Sequence, residues 1–239
     1  MKISICIPMY NEAKVIAKTA TDLENYMTDN SFTDYEIIFC NDGSNDGCEQ
    51  ILLNMALPHV KVVGYPDNRG KGYAVRHAML SATGDIRIFT DSDLAYGVDV
   101  IKKIAEIFEN ESYTDLVTGS RILHPEGYAG YSFKRKVCSK VFLLLVQIIG
   151  GFRVSDSQCG CKAYSAAAAE RIFKHCTVDG FAFDFETLIL ANKFHMRIIP
   201  FPVKIINHGD SKVRLFRDSF IMLWDLIRIR IKTAFKRYK

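Results

Sequence analysis

The sequence predicts an α/β protein with a mainly parallel central sheet and helices on both faces of that sheet. Short apolar runs alternate with segments of helical periodicity through the first half of the 239-residue chain. Polar and acidic residues follow several of these runs directly, and ligands of such folds bind at the edge where the parallel strands end. A chain of this length can bury a sizeable core as a single domain.

The first 110 residues contain four predicted strands and three predicted helices. The strands cover residues 3–8, 35–40, 60–64 and 86–90, and the helices cover residues 12–27, 73–82 and 98–110. Alternation of this kind is typical of a mainly parallel sheet that is covered on both faces. The sequence Asn-Asp-Gly-Ser at residues 41–44 suits a turn and the start of a following helix.

The second half of the chain is less regular. Residues 136–149 are predicted to form a helix that is apolar around much of its circumference. Residues 196–206 resemble a strand, but Pro200 and Pro202 interrupt it, which favours a sheet edge or a connecting segment. Apolar residues then recur at helical spacing among basic residues toward the C-terminus.

Basic charge is concentrated at the C-terminal end. The net charge is +4, but residues 212–239 carry nine basic and two acidic residues, which leaves −3 for residues 1–211. A basic segment of this kind is expected to meet an anionic partner. We therefore predict a domain of residues 1–211 and a basic, amphipathic helical extension of residues 212–239. Nucleic acid is not the predicted partner, because the cations lie among bulky aliphatic residues and no nucleic-acid-binding motif is present.

The cysteines and the hydropathy pattern restrict the cellular location. The seven cysteines form neither a disulfide framework nor paired zinc half-sites, although Cys159 and Cys161 are close in sequence. Free thiols are typical of a reducing compartment, and the N-terminus begins with a predicted strand rather than a signal segment. The longest apolar run, residues 141–149, is too short to span a bilayer. We expect a cytoplasmic protein without a transmembrane segment.

Asp91 and Asp93 form the most informative pattern in the sequence. They follow the predicted strand at residues 86–90, so both side chains can point into one crevice beyond the end of that strand. Two carboxylates with little other charge nearby suit Mg²⁺ or Mn²⁺ shared with a diphosphate. Because acidic pairs are also common in turns and helix caps, this interpretation needs support from other segments.

Three other segments are predicted to lie at the same edge or next to it. Tyr10 could stack on a nucleobase and Asp42 could accept a hydrogen bond from a base N–H; the alternatives are a core tyrosine and a helix-capping aspartate. Residues 68–73 supply two glycines for close backbone approach and two cations for a diphosphate, or else form a solvated turn. Arg76 could reach a phosphate or pair with a neighbouring acid.

These segments, taken in order, resemble the motifs of family 2 glycosyltransferases. The similar runs are Ile-Pro-Met-Tyr-Asn-Glu at residues 7–12, Asn-Asp-Gly-Ser at 41–44, Asn-Arg-Gly-Lys-Gly at 68–72 and Thr-Asp-Ser-Asp-Leu at 90–94. Later runs resemble the polyprenyl-phosphate branch, especially dolichyl-phosphate β-glucosyltransferases. Residues 119–121 and 134–139 resemble the acceptor-phosphate segment of dolichyl-phosphate mannosyltransferases, and residues 156–162, 181–186 and 209–212 resemble the glucosyl type. The resemblance implies the GT-A nucleotide-diphospho-sugar fold and inversion at the anomeric carbon.

The resemblance also implies roles for particular residues. The nucleotide-sugar donor would contact Pro8, Tyr10, Glu12, Asp42, Lys71, Arg76, Asp91, Ser92, Asp93 and Gln158. The acceptor phosphate would contact Arg121, Arg135, Ser139 and Lys212. Asp91 and Asp93 would hold Mg²⁺ or Mn²⁺, and the catalytic residues would be Asp93, Arg121, Arg135 and Asp184. One departure is Ala95, because relatives of the mannosyl type carry a glutamine there that can help to hold the metal.

The implied activity is transfer of a hexose, with glucose from UDP-glucose as the first candidate, to a polyprenyl or dolichyl phosphate. A phosphate acceptor is already an anion at neutral pH and needs no general base, whereas a sugar hydroxyl does. One alternative is a soluble family 2 enzyme that acts on a saccharide hydroxyl, with Asp184 or Glu186 as the base. Others are a GDP-mannose-dependent polyprenyl-phosphate mannosyltransferase and a nucleotide-binding or scaffolding module without catalysis.

Peripheral association with the cytoplasmic face of a membrane is also predicted. Residues 136–149 and the C-terminal helix could lie in the bilayer interface, with basic residues facing lipid phosphates. Trp224 beside several cations favours this location for the C-terminal helix. The alternative is that both helices pack on the core or in a dimer interface.

Overall fold

A seven-stranded sheet lies at the centre of the part of the chain that the structure describes. The structure is a computed structural model that describes residues 1–129, 133–207 and 215–235, without the side chains of residues 133–138 and 215–220. The strands are β1 (Ile3–Met9), β2 (Tyr35–Asp42), β3 (Val60–Tyr65), β4 (Ile86–Thr90), β5 (Leu116–Ser120), β6 (Cys161–Ser165) and β7 (Ile198–Pro202). The helices are α1 (Ile16–Asp29), α2 (Cys48–Met55), α3 (Lys71–Ser81), α4 (Val100–Asn110), α5 (Phe133–Gly150), α6 (Ala166–Phe173), α7 (Phe183–Lys193) and α8 (Leu215–Phe235).

The strand order brings the ends of β1, β2 and β4 side by side. The order is β3-β2-β1-β4-β6-β5-β7, and among these described strands only β6 runs antiparallel to its neighbours. The other strands all point the same way, so they end at one edge of the sheet, which we call the carboxyl edge. Because β6 is reversed, it starts at this edge, and its first residue, Cys161, lies opposite Thr90 at the end of β4. The loop after β4 therefore meets the segment that leads into β6.

Both faces of the sheet are covered, which explains why the strands are apolar at nearly every position. In β2, Ile37 and Phe39 belong to the core cluster under α1, α2 and α4. Ile38 and Cys40 belong to the cluster on the opposite face, under α3, α5, α6, α7 and α8. Successive side chains of a strand point to opposite faces, so both sets are buried. Burial of each large apolar side chain contributes about 1.5–3 kcal/mol to the hydrophobic free energy of folding.

The strands and helices predicted in the first half of the chain are confirmed, with shifts at their ends. The largest shift is in α1, which begins at Ile16 rather than at residue 12. The amides of Val15 and Ile16 both donate to the carbonyl of Glu12, at 3.0 Å, so a separate turn precedes the helix. The helix predicted at residues 136–149 corresponds to α5.

β7 occupies the edge of the sheet, as its prolines predict. Among the described strands it pairs with β5 alone, so no second neighbour loses a hydrogen bond to Pro200 or Pro202. Five elements are missing from the prediction, namely α2, β5, β6, α6 and α7. α7 is buried from Phe183 to Ala191 and lacks the polar stripe that marks an amphipathic helix. In β6 the apolar run is interrupted by Lys162, so the strand is hard to recognise from sequence.

α8 packs on the core through one of its faces. Met222, Leu226 and Ile229 are buried in the same cluster as residues of α5 and α7. The start of the predicted extension, at residue 212, lies outside the described residues. Within the described part of the chain, no helix combines the length and the apolar character that crossing a bilayer requires.

Glu36 ties the amino-terminal ends of the strands together. It is 2% exposed, and its carboxylate accepts hydrogen bonds from the Ser4 hydroxyl at 2.7 Å, the Lys61 ammonium at 2.6 Å and the Thr83 amide at 2.7 Å. Burial raises the pKa of Glu36, but these donors outweigh burial and lower the pKa from 4.5 to about 2. The ionised carboxylate is therefore the form that the fold stabilises.

Replacement of Glu36 by glutamine should lower the free energy of unfolding at pH 7 by about 3 kcal/mol, because buried donors lose a charged acceptor. The folded-state pKa lies below the unfolded one, so the contribution is complete above the ordinary pKa of 4.5 and is lost as the pH falls toward 2. Chemical denaturation should thus show a smaller difference between variant and wild type at pH 3 than at pH 7. An equal difference at both pH values would contradict the assignment, and the exposed Glu109→Gln should change little at either.

Candidate active site

The loops after β1 and β2 are joined through Asn11 at the carboxyl edge. Asn11 has a φ of 54°, a left-handed conformation that asparagine adopts more readily than most residues. Its side-chain oxygen accepts a hydrogen bond from the Asn45 amide at 3.0 Å, and its own amide donates to the Ser44 hydroxyl at 3.1 Å. Tyr10, the preceding residue, is 41% exposed, whereas Pro8 is buried at the end of β1. This arrangement places the Tyr10 ring at the rim of the edge.

Asp42 shapes the loop between β3 and α3. Its side chain is buried, and its carboxylate accepts hydrogen bonds from the amides of Arg69 at 2.8 Å and Gly70 at 3.0 Å. The Asn68 side chain donates a further bond to it at 3.0 Å. Because a carboxylate has about four acceptor positions, these donors use most of them. Asp42 thus holds residues 68–70 against the end of β2, and its contact with a nucleobase stays a prediction.

Asp91 and Asp93 lie together in the loop after β4. Oδ1 of Asp91 is 2.5 Å from Nζ of Lys71, the first residue of α3. Oδ1 of Asp93 accepts the amide of Ala95 at 3.1 Å, which turns the loop back on itself. Glu12 also acts electrostatically on Asp93, so the first and fourth strands contribute charge to the same place. The convergence predicted for these segments is present in the structure.

The loop after β4 is held from two sides. From α1, the Thr19 hydroxyl donates to the carbonyl of Ser92 at 2.6 Å. From the segment before β6, Gly160 approaches so closely that a Cβ atom there would lie 2.2 Å from Oδ2 of Asp91. Glycine at this position is therefore required for the Asp91 carboxylate to keep its place.

The Asp91 and Asp93 carboxylates suit a divalent cation that is shared with a ligand. Burial, and then the Asp91 carboxylate, raise the pKa of Asp93, so a cation between the two groups would relieve a repulsion. In residues 1–129, 133–207 and 215–235 no cluster of three or more His, Cys, Asp or Glu side chains could hold a metal. Mg²⁺ or Mn²⁺ on these two carboxylates would take its other ligands from water and a diphosphate. Ala95 offers no side-chain ligand.

A buried ion pair lies behind this loop. Nζ of Lys162 in β6 donates to the Asp184 carboxylate in the first turn of α7 and to the carbonyl of Cys159, the latter at 3.0 Å. Burial raises the pKa of Asp184, and the Lys162 and Lys71 cations offset this only in part. Asp184 lies close to the predicted site, but its carboxylate is already engaged. Lys162 had no predicted role, although it lies in the run at residues 156–162 that the sequence singled out.

Glu186 supports the segment before α7 rather than standing open as a base. Its carboxylate accepts the amides of Thr177 and Val178, both at 2.8 Å, and the Thr177 hydroxyl at 2.9 Å. The side chain is 3% exposed. These bonds fix the segment that leads from α6 to α7.

The two glycines of residues 68–73 allow close approach of another backbone segment. Close approach of backbone does occur there, but the approaching backbone belongs to residues 178–180 of the same chain. A Cβ atom on Gly70 would lie 2.5 Å from the carbonyl oxygen of Asp179, and one on Gly72 would lie 2.6 Å from that of Val178. The amide of Gly72 donates to the Asp179 carbonyl at 2.8 Å. The start of α3 is therefore capped by protein, and contact of residues 68–73 with a diphosphate stays a prediction.

Arg76 and Arg121 each pair with an acid. Arg76, one turn into α3, donates to the carboxylate of Asp179 at 2.7 Å. This is the second of its two predicted interpretations, pairing with a neighbouring acid. Arg121 makes two bonds to Asp156 from its guanidinium, at 2.7 and 2.9 Å. Burial raises the pKa of Asp156, but Arg121 outweighs burial and lowers it. Contact of either arginine with a phosphate stays a prediction.

The other predicted acceptor and donor residues are only partly described. Ser139 is half-buried on α5. Gln158 follows the Arg121–Asp156 pair, and its amide nitrogen lies 3.6 Å from the sulfur of Met222 on α8. The side chain of Arg135 and all of Lys212 lie outside the described residues, so their roles at the acceptor phosphate stay predictions.

Comparison with known proteins identifies sequence relatives along most of the chain. Residues 4–173 match the family model of glycosyl transferase family 2. A dolichyl-phosphate beta-glucosyltransferase of Trichomonas vaginalis is 32% identical over 94% of this chain and 69% of its own length. The dolichyl-phosphate beta-glucosyltransferase of Saccharomyces cerevisiae is also 32% identical, over 96% of this chain and 74% of its own length. The human protein of the same name is 29% identical over 97% of this chain and 75% of its own.

Solved structures share the fold at low sequence identity. Glucosyl-3-phosphoglycerate synthase of Mycobacterium tuberculosis, in complex with Mn²⁺, UDP-glucose and phosphoglyceric acid, has a TM-score of 0.71 at 18% identity. The match covers 96% of this chain and 79% of that one. Mannosyl-3-phosphoglycerate synthase of Rubrobacter xylanophilus has a TM-score of 0.69 at 15% identity, over 98% and 74% of the two chains.

Replacement of Gly72 by alanine should lower the free energy of unfolding by about 1–3 kcal/mol, because the new methyl group meets backbone that cannot turn away. Gly180 provides a matched control in the same contact: a Cβ atom there has nothing within 4 Å. Thermal or chemical denaturation of Gly72→Ala and Gly180→Ala would compare them. Equal stability of the two variants would show that the 178–180 segment does not pack on α3 in solution.

Proposed function

The chain belongs to glycosyltransferase family 2, and on that premise we propose that it transfers glucose from UDP-glucose, with inversion, to a dolichyl or related polyprenyl phosphate. The chain has the GT-A fold of such enzymes, with a seven-stranded sheet in its described residues. The observation that supports this acceptor most directly is the dolichyl-phosphate beta-glucosyltransferase activity for which the relatives are named, and these relatives match over at least 94% of this chain. The Asp91 and Asp93 carboxylates at the carboxyl edge support a nucleotide-diphospho-sugar as the donor.

The donor would lie across the carboxyl edge, beside the loop after β4. Asp91 and Asp93 would hold Mg²⁺ or Mn²⁺, which supplies positive charge to the leaving diphosphate when bound. Lys71, whose Nζ is 2.5 Å from Oδ1 of Asp91, adds a second cation next to the same position. Tyr10 at the rim would stack on the base. Each of these groups would either offset negative charge on the diphosphate or orient the donor. A site that forms no covalent intermediate lowers the activation free energy of transfer in these two ways.

The state of Asp184 and Glu186 favours a phosphate acceptor over a saccharide hydroxyl. A hydroxyl acceptor needs a carboxylate that can take its proton during attack. Asp184 instead accepts from the buried Lys162 ammonium, and Glu186 accepts the amides of residues 177–178. A phosphate monoester brings its own negative charge and requires cations rather than a base. Arg121, Arg135, Ser139 and Lys212 are proposed to supply those contacts.

The acceptor would reach the site from a membrane surface beside α5 and α8, which pack against each other. Both helices expose apolar residues, which together we call the α5 and α8 stripe. On α5 it comprises Val141, Leu144, Leu145 and Ile148; on α8 it comprises Ile221, Trp224, Ile227, Ile231 and Phe235. The guanidinium of Arg228 lies over the Trp224 ring at 5.3 Å, so charge and apolar surface occur together. Such a surface suits the interface of an anionic bilayer. We place it at the cytoplasmic face, with no role for nucleic acid.

Purified protein with Mn²⁺, labelled UDP-glucose and a short polyprenyl phosphate should form lipid-linked glucose. Asp93→Asn should lower the rate at least about 100-fold, because the cation that neutralises the leaving group loses a ligand. Asp99→Asn, an exposed change at the start of α4, should leave the rate unchanged. Product formation with a saccharide acceptor alone would contradict the proposed lipid-phosphate acceptor. Turnover with GDP-mannose but not with UDP-glucose would contradict the proposed donor.

The double variant Trp224→Gln, Ile231→Gln should bind liposomes of anionic lipid several-fold more weakly, because two side chains that are more than half exposed lose apolar area. Flotation in a density gradient would measure the bound fraction. Leu53→Gln on α2 removes a similarly exposed apolar residue on another face and should not change it. If both variants float like the wild type, the α5 and α8 stripe is not the membrane surface.

A further inference from the structure

Lys71 lies among acidic side chains at the carboxyl edge. Its ammonium contacts Oδ1 of Asp91 at 2.5 Å, and the two side chains are only 27% and 29% exposed. The carboxylates of Asp184 and Asp93 also act on it electrostatically. The flexible Lys71 side chain therefore offsets charge from three carboxylates, two of which are the candidate metal ligands.

We propose that Lys71 is the built-in counter-ion of Asp91 in the resting site, and that a divalent cation must displace it in order to bind. This inference rests on the metal site of the proposed function. A Mg²⁺ or Mn²⁺ ion held by Asp91 would compete with the ammonium for the same carboxylate. Two positive charges on one carboxylate repel each other, and the lysine stem has the freedom to swing away.

The surroundings give the displaced ammonium another partner. The Asp184 carboxylate, which is held by Lys162, also attracts Lys71. Lys71 can thus leave Asp91 without becoming an unpaired charge. With a diphosphate bound, the same ammonium faces its oxygens. Lys71 would in this way weaken metal binding when the donor is absent and allow stronger metal binding when the donor is present. Metal binding and donor binding would then be coupled.

The test is direct titration of Mn²⁺ into the nucleotide-free protein, followed by the EPR signal of free Mn²⁺. Lys71→Met should bind Mn²⁺ about tenfold or more tightly than the wild type, because the competing cation is gone. The control is Lys18→Met, which removes a lysine cation that pairs with Asp22 on α1 instead. Lys18→Met should change the affinity less than about threefold. Circular dichroism checks folding, and Lys71→Gln replaces the methionine variant if that one does not fold.

Unchanged or weaker Mn²⁺ binding by Lys71→Met would overturn the proposal. Equal tightening by both variants would also overturn it, because general charge rather than competition would then explain the effect. A second titration with UDP present separates this inference from the proposed function. If Lys71→Met no longer binds Mn²⁺ more tightly than the wild type when UDP is present, the result supports the coupling to the diphosphate. If it still binds Mn²⁺ more tightly, the result supports the displacement but shows that Lys71 is not part of the donor site.

Discussion

The buried ion pair between Lys162 and Asp184 is the interaction on which the geometry of the site depends. It joins β6 to the first turn of α7, and the same ammonium holds the carbonyl of Cys159 beside Gly160. Gly160 in turn packs against the carboxylate of Asp91. Loss of one partner would leave the other as an uncompensated buried charge, at a cost of about 3–5 kcal/mol. The pair is thus a structural support for the loop after β4 as much as a feature of the site.

Close contact between backbone segments adds to this rigidity. The 178–180 segment packs on the glycines at the start of α3, and Glu186 fixes that segment from the other side. Asp42 holds the loop before α3 against β2 in the same manner. A transferase that joins two anions gains most from positioning and fixed charge, both of which need groups that do not rearrange. The carboxyl edge has this character.

The molecule presents two contrasting regions to its proposed substrates. The carboxyl edge is charged and internally paired, which suits a nucleotide diphosphate and a metal ion. The outer sides of α5 and α8 expose apolar residues, with basic residues among them, while their inner sides, with Val146 and Leu226, complete the core. A lipid phosphate has a charged phosphate that suits the carboxyl edge and an apolar chain that suits the exposed residues of α5 and α8. Both regions therefore support the proposed transfer to a polyprenyl phosphate.

The sequence by itself determined the α/β class, the strands and helices of the first half and the convergence of Tyr10, Asp42, Asp91 and Asp93 on one edge. Those features depend on local periodicity and on the rule that parallel strands end together. Only the tertiary structure decided that β6 inserts antiparallel between β4 and β5 and that Lys162 meets Asp184. It also decided that protein backbone fills the space beside the α3 glycines. Such pairings join residues far apart in sequence, and no local pattern specifies which distant partner a buried charge or a glycine will meet.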